Sequence, residues 1–144
     1  HALPAPAHTP TLATLAATSQ TTLLRQSRHR FKRAASEHSP EALHALRIAC
    51  KRLRQASDLF APLFHTKAHA RLRAELADCQ AELGHLHDLA EAMPRLTAWA
   101  AADPGLREAV AFVAGWHAAT SLQSRQTILP RCARLLRKKR WPNP

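Results

Sequence analysis

Apolar residues recur along most of this chain at spacings of three and four, the repeat of an amphipathic helix, and long β-branched runs are missing. The first such segment spans about Thr11 to Ala35, with Leu12, Ala16, Leu23, Leu24, Ser27, Phe31 and Ala34 on one side. The second opens at Ser39, an N-cap residue followed by Pro40 and then by Glu41 in the first turn. It runs to about Phe64, with fraying or a kink expected at Pro62. The third covers about Thr66 to Ala102, and Gly84 and Pro94 mark it as one bent helix or two shorter ones. Asp103-Pro104-Gly105 reads as a turn and helix start, and a fourth segment follows to about Lys139 with a kink expected at Pro130. Short connections favour antiparallel neighbours, so the pattern predicts an all-α, antiparallel four-helix bundle over residues 11–141. A Pro/Ala-rich linker is expected in residues 1–10.

Composition narrows this further. A length of 144 residues allows one hydrophobic core, and the apolar share of 46% is rich in Ala and Leu, the strongest helix formers. Three Gly and no Tyr argue against a sheet protein. Cys50, Cys79 and Cys132 are widely spaced with no C-x-x-C pair, which suits small buried hydrophobes and a reducing cytoplasm. No run of 18 apolar residues exists, so no membrane span is expected. The first residue is His1 rather than Met, which suggests a start further upstream.

Charge supplies the first functional clue. Twenty-one Lys and Arg stand against ten Asp and Glu, a net +11 that concentrates anions of any kind near the chain. Nucleic acid, an anionic membrane surface and a free phosphate polymer all fit. The informative stretch is HALRIACKRLR, His44 to Arg54. At about 100° per residue, with His44 at zero, Arg47 falls near 300°, Lys51 near 340° and Arg54 near 280°. Leu43, Leu46, Cys50, Leu53, Ser57 and Phe60 lie between roughly 160° and 260°, so the cationic stripe borders the core face. Arg52 sits off it, near 80° on the same scale. No acid follows until Asp58, and like charges at these spacings cost a few tenths of a kcal/mol each.

The first helix carries its own stripe of Arg25, Arg28, His29 and Lys32. If the two helices pack antiparallel, both stripes are expected to flank one groove. Arg forks take phosphate oxygens bidentately and Lys acts as a point charge. From charge alone, ordinary solvated faces with snorkelling stems account for the pattern equally well.

HALRIACKRLR resembles the signature of the CHAD family, the conserved histidine α-helical domain: His44, Arg47, the basic pair Lys51 and Arg52, then Leu53-Arg54 and Phe60. Leu83-Gly84 shortly before Asp88 is similar to a second family feature, and Ala114-Gly115-Trp116 with the tail ending in Trp141 looks like the closing helix. Two positions depart from the pattern: Ala45 replaces a polar residue, and His87 stands where Arg is common. The second departure is typical of C-terminal halves. The resemblance implies a pair of four-helix bundles whose basic faces share a central cavity, and this chain has the length of one. It is therefore expected to be the C-terminal half, partnered by a second CHAD half or a second copy. The resemblance further implies non-catalytic binding of inorganic polyphosphate, often beside a CYTH-type triphosphatase domain in bacterial or archaeal proteins. A cytoplasmic location, including polyphosphate granules, goes with it. His44, Arg47, Lys51 and Arg54 carry over as phosphate ligands, joined by Arg52, Arg25, Arg28 and Lys32.

Rival readings remain. A non-specific nucleic-acid binder would use the same phosphate contacts, yet four Phe, three Trp and no Tyr leave few rings for base stacking. A structural or oligomerisation bundle is the other, with Trp99 and Trp116 in core or interface. The basic run Arg134, Arg137, Lys138, Lys139 and Arg140 also suits a helix C-terminus. His65 and His69, and the group His85, His87 and Asp88, have spacings that can hold a metal, but H-E-x-x-H is absent and no nucleophile accompanies them. They read more simply as exposed or bundle-end polar residues. No catalytic residue, metal or cofactor is expected.

Overall fold

A computed structural model describes residues 10–138, so the expected linker over residues 1–10 and the tail with Lys139, Arg140 and Trp141 lie almost wholly outside the described residues. Four helices run in chain order among those residues: α1 (Leu12–Glu37), α2 (Pro40–Leu59), α3 (Lys67–Ala102) and α4 (Arg107–Leu136). Each start has a local cause. The side chains of Thr11, Ser39 and Thr66 accept hydrogen bonds from the backbone N–H of Thr14, Ala42 and His69 respectively. His38 ends α1 in the left-handed region at φ 52°, and its N–H returns to the carbonyl of Ala34. Pro62 falls in a short 3-10 turn, Ala61–Leu63, so α2 stops at Leu59. A second 3-10 turn, Pro104–Leu106, leads into α4.

Of the two arrangements expected at Gly84 and Pro94, one bent helix or two shorter ones, the structure has one helix, and α4 likewise continues through Pro130. Both prolines are exposed, so the ring and the turn it disturbs lie on the solvent side.

The helices pack in ring order as an antiparallel bundle. Leu43, Leu46, Cys50 and Leu53 of α2 meet Leu72, Leu76, Cys79 and Leu83 of α3 and Ile128, Cys132 and Leu135 of α4. Leu24 and Ala34 close the core from α1. All three cysteines are free and buried, and burial pushes the Cys50 thiol up to about 12, so it stays neutral. Phe60, Phe64 and Ala16 form a smaller cluster at one end. The outer ends of α3 and α4 behave differently. Between Leu86 and Ile128 no side chain is fully buried, and Trp99, Phe112 and Trp116 are 58%, 77% and 56% exposed. This two-helix arm extends the bundle without a core of its own.

His69 does not fit the expectation of an exposed histidine. It is buried, with its ring stacked at 4.2 Å on Phe64. Burial, helped by the Arg73 cation and opposed by Asp58, holds its pKa below the ordinary imidazole range. The unfolded chain therefore takes up a proton near pH 6.5 that the fold resists, and stability falls as pH drops below that value. Melting curves at pH 7.5 and 5.5 should show this loss, and His69→Phe should reduce it. An equal loss in the variant would assign the acid sensitivity elsewhere.

Candidate functional site

The stripe on α2 lies where the helical phase places it, beside the core and towards α3. Its four members differ in how far the protein already uses them. Arg54 is anchored: Nη1 donates to Oε1 of Gln80 at 3.0 Å, and Nε lies 3.6 Å from Asp58, which also takes Arg73 at 2.7 Å. Arg47 is half-buried, and its Nε is buried without a hydrogen-bond partner among the described residues. That is an unfavourable position for a guanidinium N–H unless an acceptor arrives. Lys51 is exposed and has no acid partner among the described residues.

His44 meets His87 of α3, Nδ1 to Nδ1 at 3.3 Å with ring centroids 4.5 Å apart. Nε2 of His87 lies 3.1 Å from Glu91. A neutral imidazole nitrogen donates or accepts according to its tautomer, so one ring donates to the other across the Nδ1–Nδ1 contact. Beneath this pair lies a cleft of about 460 Å³, walled by Leu43, Leu83, Leu86, Met93 and Leu122 with His117 and Arg125 among them. Arg125 donates from Nη1 to the carbonyl of His38 at 2.7 Å.

The stripe on α1 corrects the expectation of one shared groove. Arg28 turns to α4, where Nε donates to the carbonyl of Leu136 and Nη2 to that of Lys138 at 2.9 Å. It caps a helix end. Arg28→Met should therefore lower stability by about 1.5 to 3 kcal/mol, the worth of hydrogen bonds to a charged group. Denaturation alongside binding checks this, since a phosphate ligand would lose affinity with little change in stability. Arg25 lies instead with His29, Arg30 and Arg52 along the seam of α1 and α2, lining a groove of about 710 Å³. Arg52 and Arg54 are about 160° apart around α2, which puts them on opposite flanks. Lys32 is exposed and lines neither space.

The acids complete the electrostatic picture. Glu75 takes Lys138 at 3.0 Å, Asp78 takes Arg131 at 3.4 Å, and Glu37 takes Arg33 at 2.7 Å. Asp58 serves Arg54 and Arg73. Carboxylates thus neutralise Arg33, Arg54, Arg73, Arg131 and Lys138, while Arg25, Arg30, Arg47, Lys51 and Arg52 of α1 and α2 have none among the described residues. Among the described residues no group of three or more His, Cys, Asp or Glu converges as a metal site, and no helix is long and apolar enough to cross a membrane.

Sequence reasoning gave His87 as a departure from a motif and as one of a His-Asp group, not as a partner of His44, and did not single out Gln80, Arg125 or Arg30. His87 follows His44 by 43 residues, and only the packing of α3 on α2 brings them together.

Comparison with known proteins bears on the family. The CHAD domain family model matches residues 2–97. The crystal structure of the CHAD domain from the plant Ricinus communis is similar, with 28% identity and a TM-score of 0.74. The match covers 92% of this chain and 45% of that one, so the chain spans less than half the plant domain's length. No curated protein matches. With the family model matched across α1, α2 and most of α3, and the plant domain sharing the helical architecture, the chain belongs to the CHAD domain family.

Proposed function

We propose that this chain binds inorganic polyphosphate without catalysis, through His44, Arg47, Lys51 and Arg54 on the α3-facing flank of α2. The observation that carries this reading is the pairing of Arg47 and Lys51: two adjacent cations without an acid, one with a buried N–H that lacks an acceptor. A chain of phosphates supplies both the negative charge and the acceptor oxygens. Arg54, held by Gln80 and Asp58, presents its remaining N–H groups from a fixed position. His44 stands exposed at the other end of the stripe.

The arm of α3 and α4 supports a partner as well. Its exposed Trp99, Phe112 and Trp116 suit a second helical bundle of the same family, either in the same protein or from a second copy. The plant domain, more than twice as long as the stretch matched here, leaves room for one.

Binding to polyphosphate, duplex DNA and heparin at matched ionic strength tests the assignment. Polyphosphate should displace DNA, DNA should fail to displace polyphosphate, and affinity should weaken steeply with salt. DNA that competes as an equal would replace this reading with a general polyanion binder.

A further inference from the structure

The seam between α1 and α2 has a composition that the stripe on the other flank does not explain. Arg25 and Arg30 come from α1 and Arg52 from α2, with His29 between them, around a groove of about 710 Å³. Its floor is Ala45, Ile48 and Ala49, whose small and apolar side chains offer no acceptor to the cations above. No acid lines it. Arg25, Arg30 and Arg52 make no hydrogen bond or ion pair among the described residues, whereas Arg125, Arg131, Arg137 and Lys138, in and after α4, are each tied to a carboxylate or a carbonyl. Guanidinium groups converging from two helices repel one another unless an anion lies between them.

We infer that the α1–α2 seam is a second groove for phosphate chains, separate from the His44 stripe, so that α2 is gripped by polyphosphate on both flanks. This rests on the reading of the chain as a polyphosphate binder. The two grooves differ in character. The stripe pairs an anchored Arg54 with a half-buried Arg47. The seam presents exposed arginines only, and so takes phosphate with less fixed geometry. Lys51, the exposed member of the stripe at about 340°, borders the outer ridge of α2 that separates it from Arg52 near 80°. A polymer long enough to cross that ridge engages both grooves, and the second engagement becomes intramolecular. A short oligophosphate fills each groove separately. The seam holds no Phe, Trp or Tyr to stack on bases and His29 is its one ring, which favours a bare phosphate chain over single-stranded nucleic acid.

Calorimetric titration of the full chain with tripolyphosphate and with long-chain polyphosphate tests this, using Arg25→Ala/Arg52→Ala beside Arg47→Ala/Lys51→Ala. The substituted side chains of the first variant are exposed and alanine favours helix, so circular dichroism should match the parent. The expected result is about two tripolyphosphates per chain in the parent and about one in either variant. Long polyphosphate should bind the parent at least roughly tenfold tighter than either variant, as loss of avidity requires. One tripolyphosphate per chain, lost in Arg47→Ala/Lys51→Ala and untouched in Arg25→Ala/Arg52→Ala, would overturn the second groove and leave the proposed function standing. Loss only in Arg25→Ala/Arg52→Ala would overturn the stripe and with it the two-groove grip. DNA held at the seam against excess polyphosphate would overturn the ligand class.

Discussion

Replacing Arg47 and Lys51 together by alanine lowers polyphosphate affinity at least about tenfold, a loss of about 1.4 kcal/mol or more. The expectation follows from what each side chain does without ligand. Arg47 holds a buried Nε with no acceptor, and Lys51 has no acid partner among the described residues, so the fold depends on neither charge. Their removal also relieves like-charge repulsion along α2. Helicity and melting temperature should therefore stay near those of the parent. The salt dependence of binding should become shallower, by roughly one unit of slope for each phosphate that the variant no longer neutralises. Titration at several salt concentrations checks both. Unchanged affinity in a folded variant would remove the stripe from the binding site.

Leu46→Ala acts on the other side of the same helix and in the opposite sense. Leu46 is fully buried between α2 and its neighbours, one residue from Arg47. Deleting its side chain leaves a cavity and costs about 2 to 5 kcal/mol. A domain of this size holds about 5 to 15 kcal/mol in all, so the variant should unfold at distinctly lower denaturant. Leu46→Met, which conserves volume, should cost less than about 1.5 kcal/mol. Urea unfolding of both variants separates packing from charge. A loss under about 1 kcal/mol for Leu46→Ala would show that α2 is not seated as its burial indicates.

Much of the fold was legible because its signals are local. Ser39-Pro40 starts α2 by capping chemistry, Asp103-Pro104 turns the chain, and every α2 position assigned to the core, from Leu43 to Phe60, is buried. Whether residues 67–102 form one helix or two was not legible, because the missing N–H of Pro94 is a local signal that does not say whether the helix resumes beyond it. The site was legible only along α2. The phase of one helix separates Arg52 from Arg54, but nothing in the sequence says that Arg28 reaches the end of α4, 108 residues away. Periodicity fixes which face a residue occupies; only the neighbour across the seam decides whether its charge is spent on the fold or left for a ligand.

The uneven burial along α3 has a kinetic counterpart. Its first turns, from Lys67 to Leu86, are clamped by the core, whereas the stretch up to Ala102 is held by one partner helix and no buried side chain. Amide protons in the first part exchange with solvent only when the bundle opens, and those in the second part exchange through local fraying. One unbroken helix thus carries two lifetimes, and the boundary falls near His87, beside the His44 pair. A second bundle seated on the arm would lengthen the shorter lifetime and leave the longer one nearly untouched.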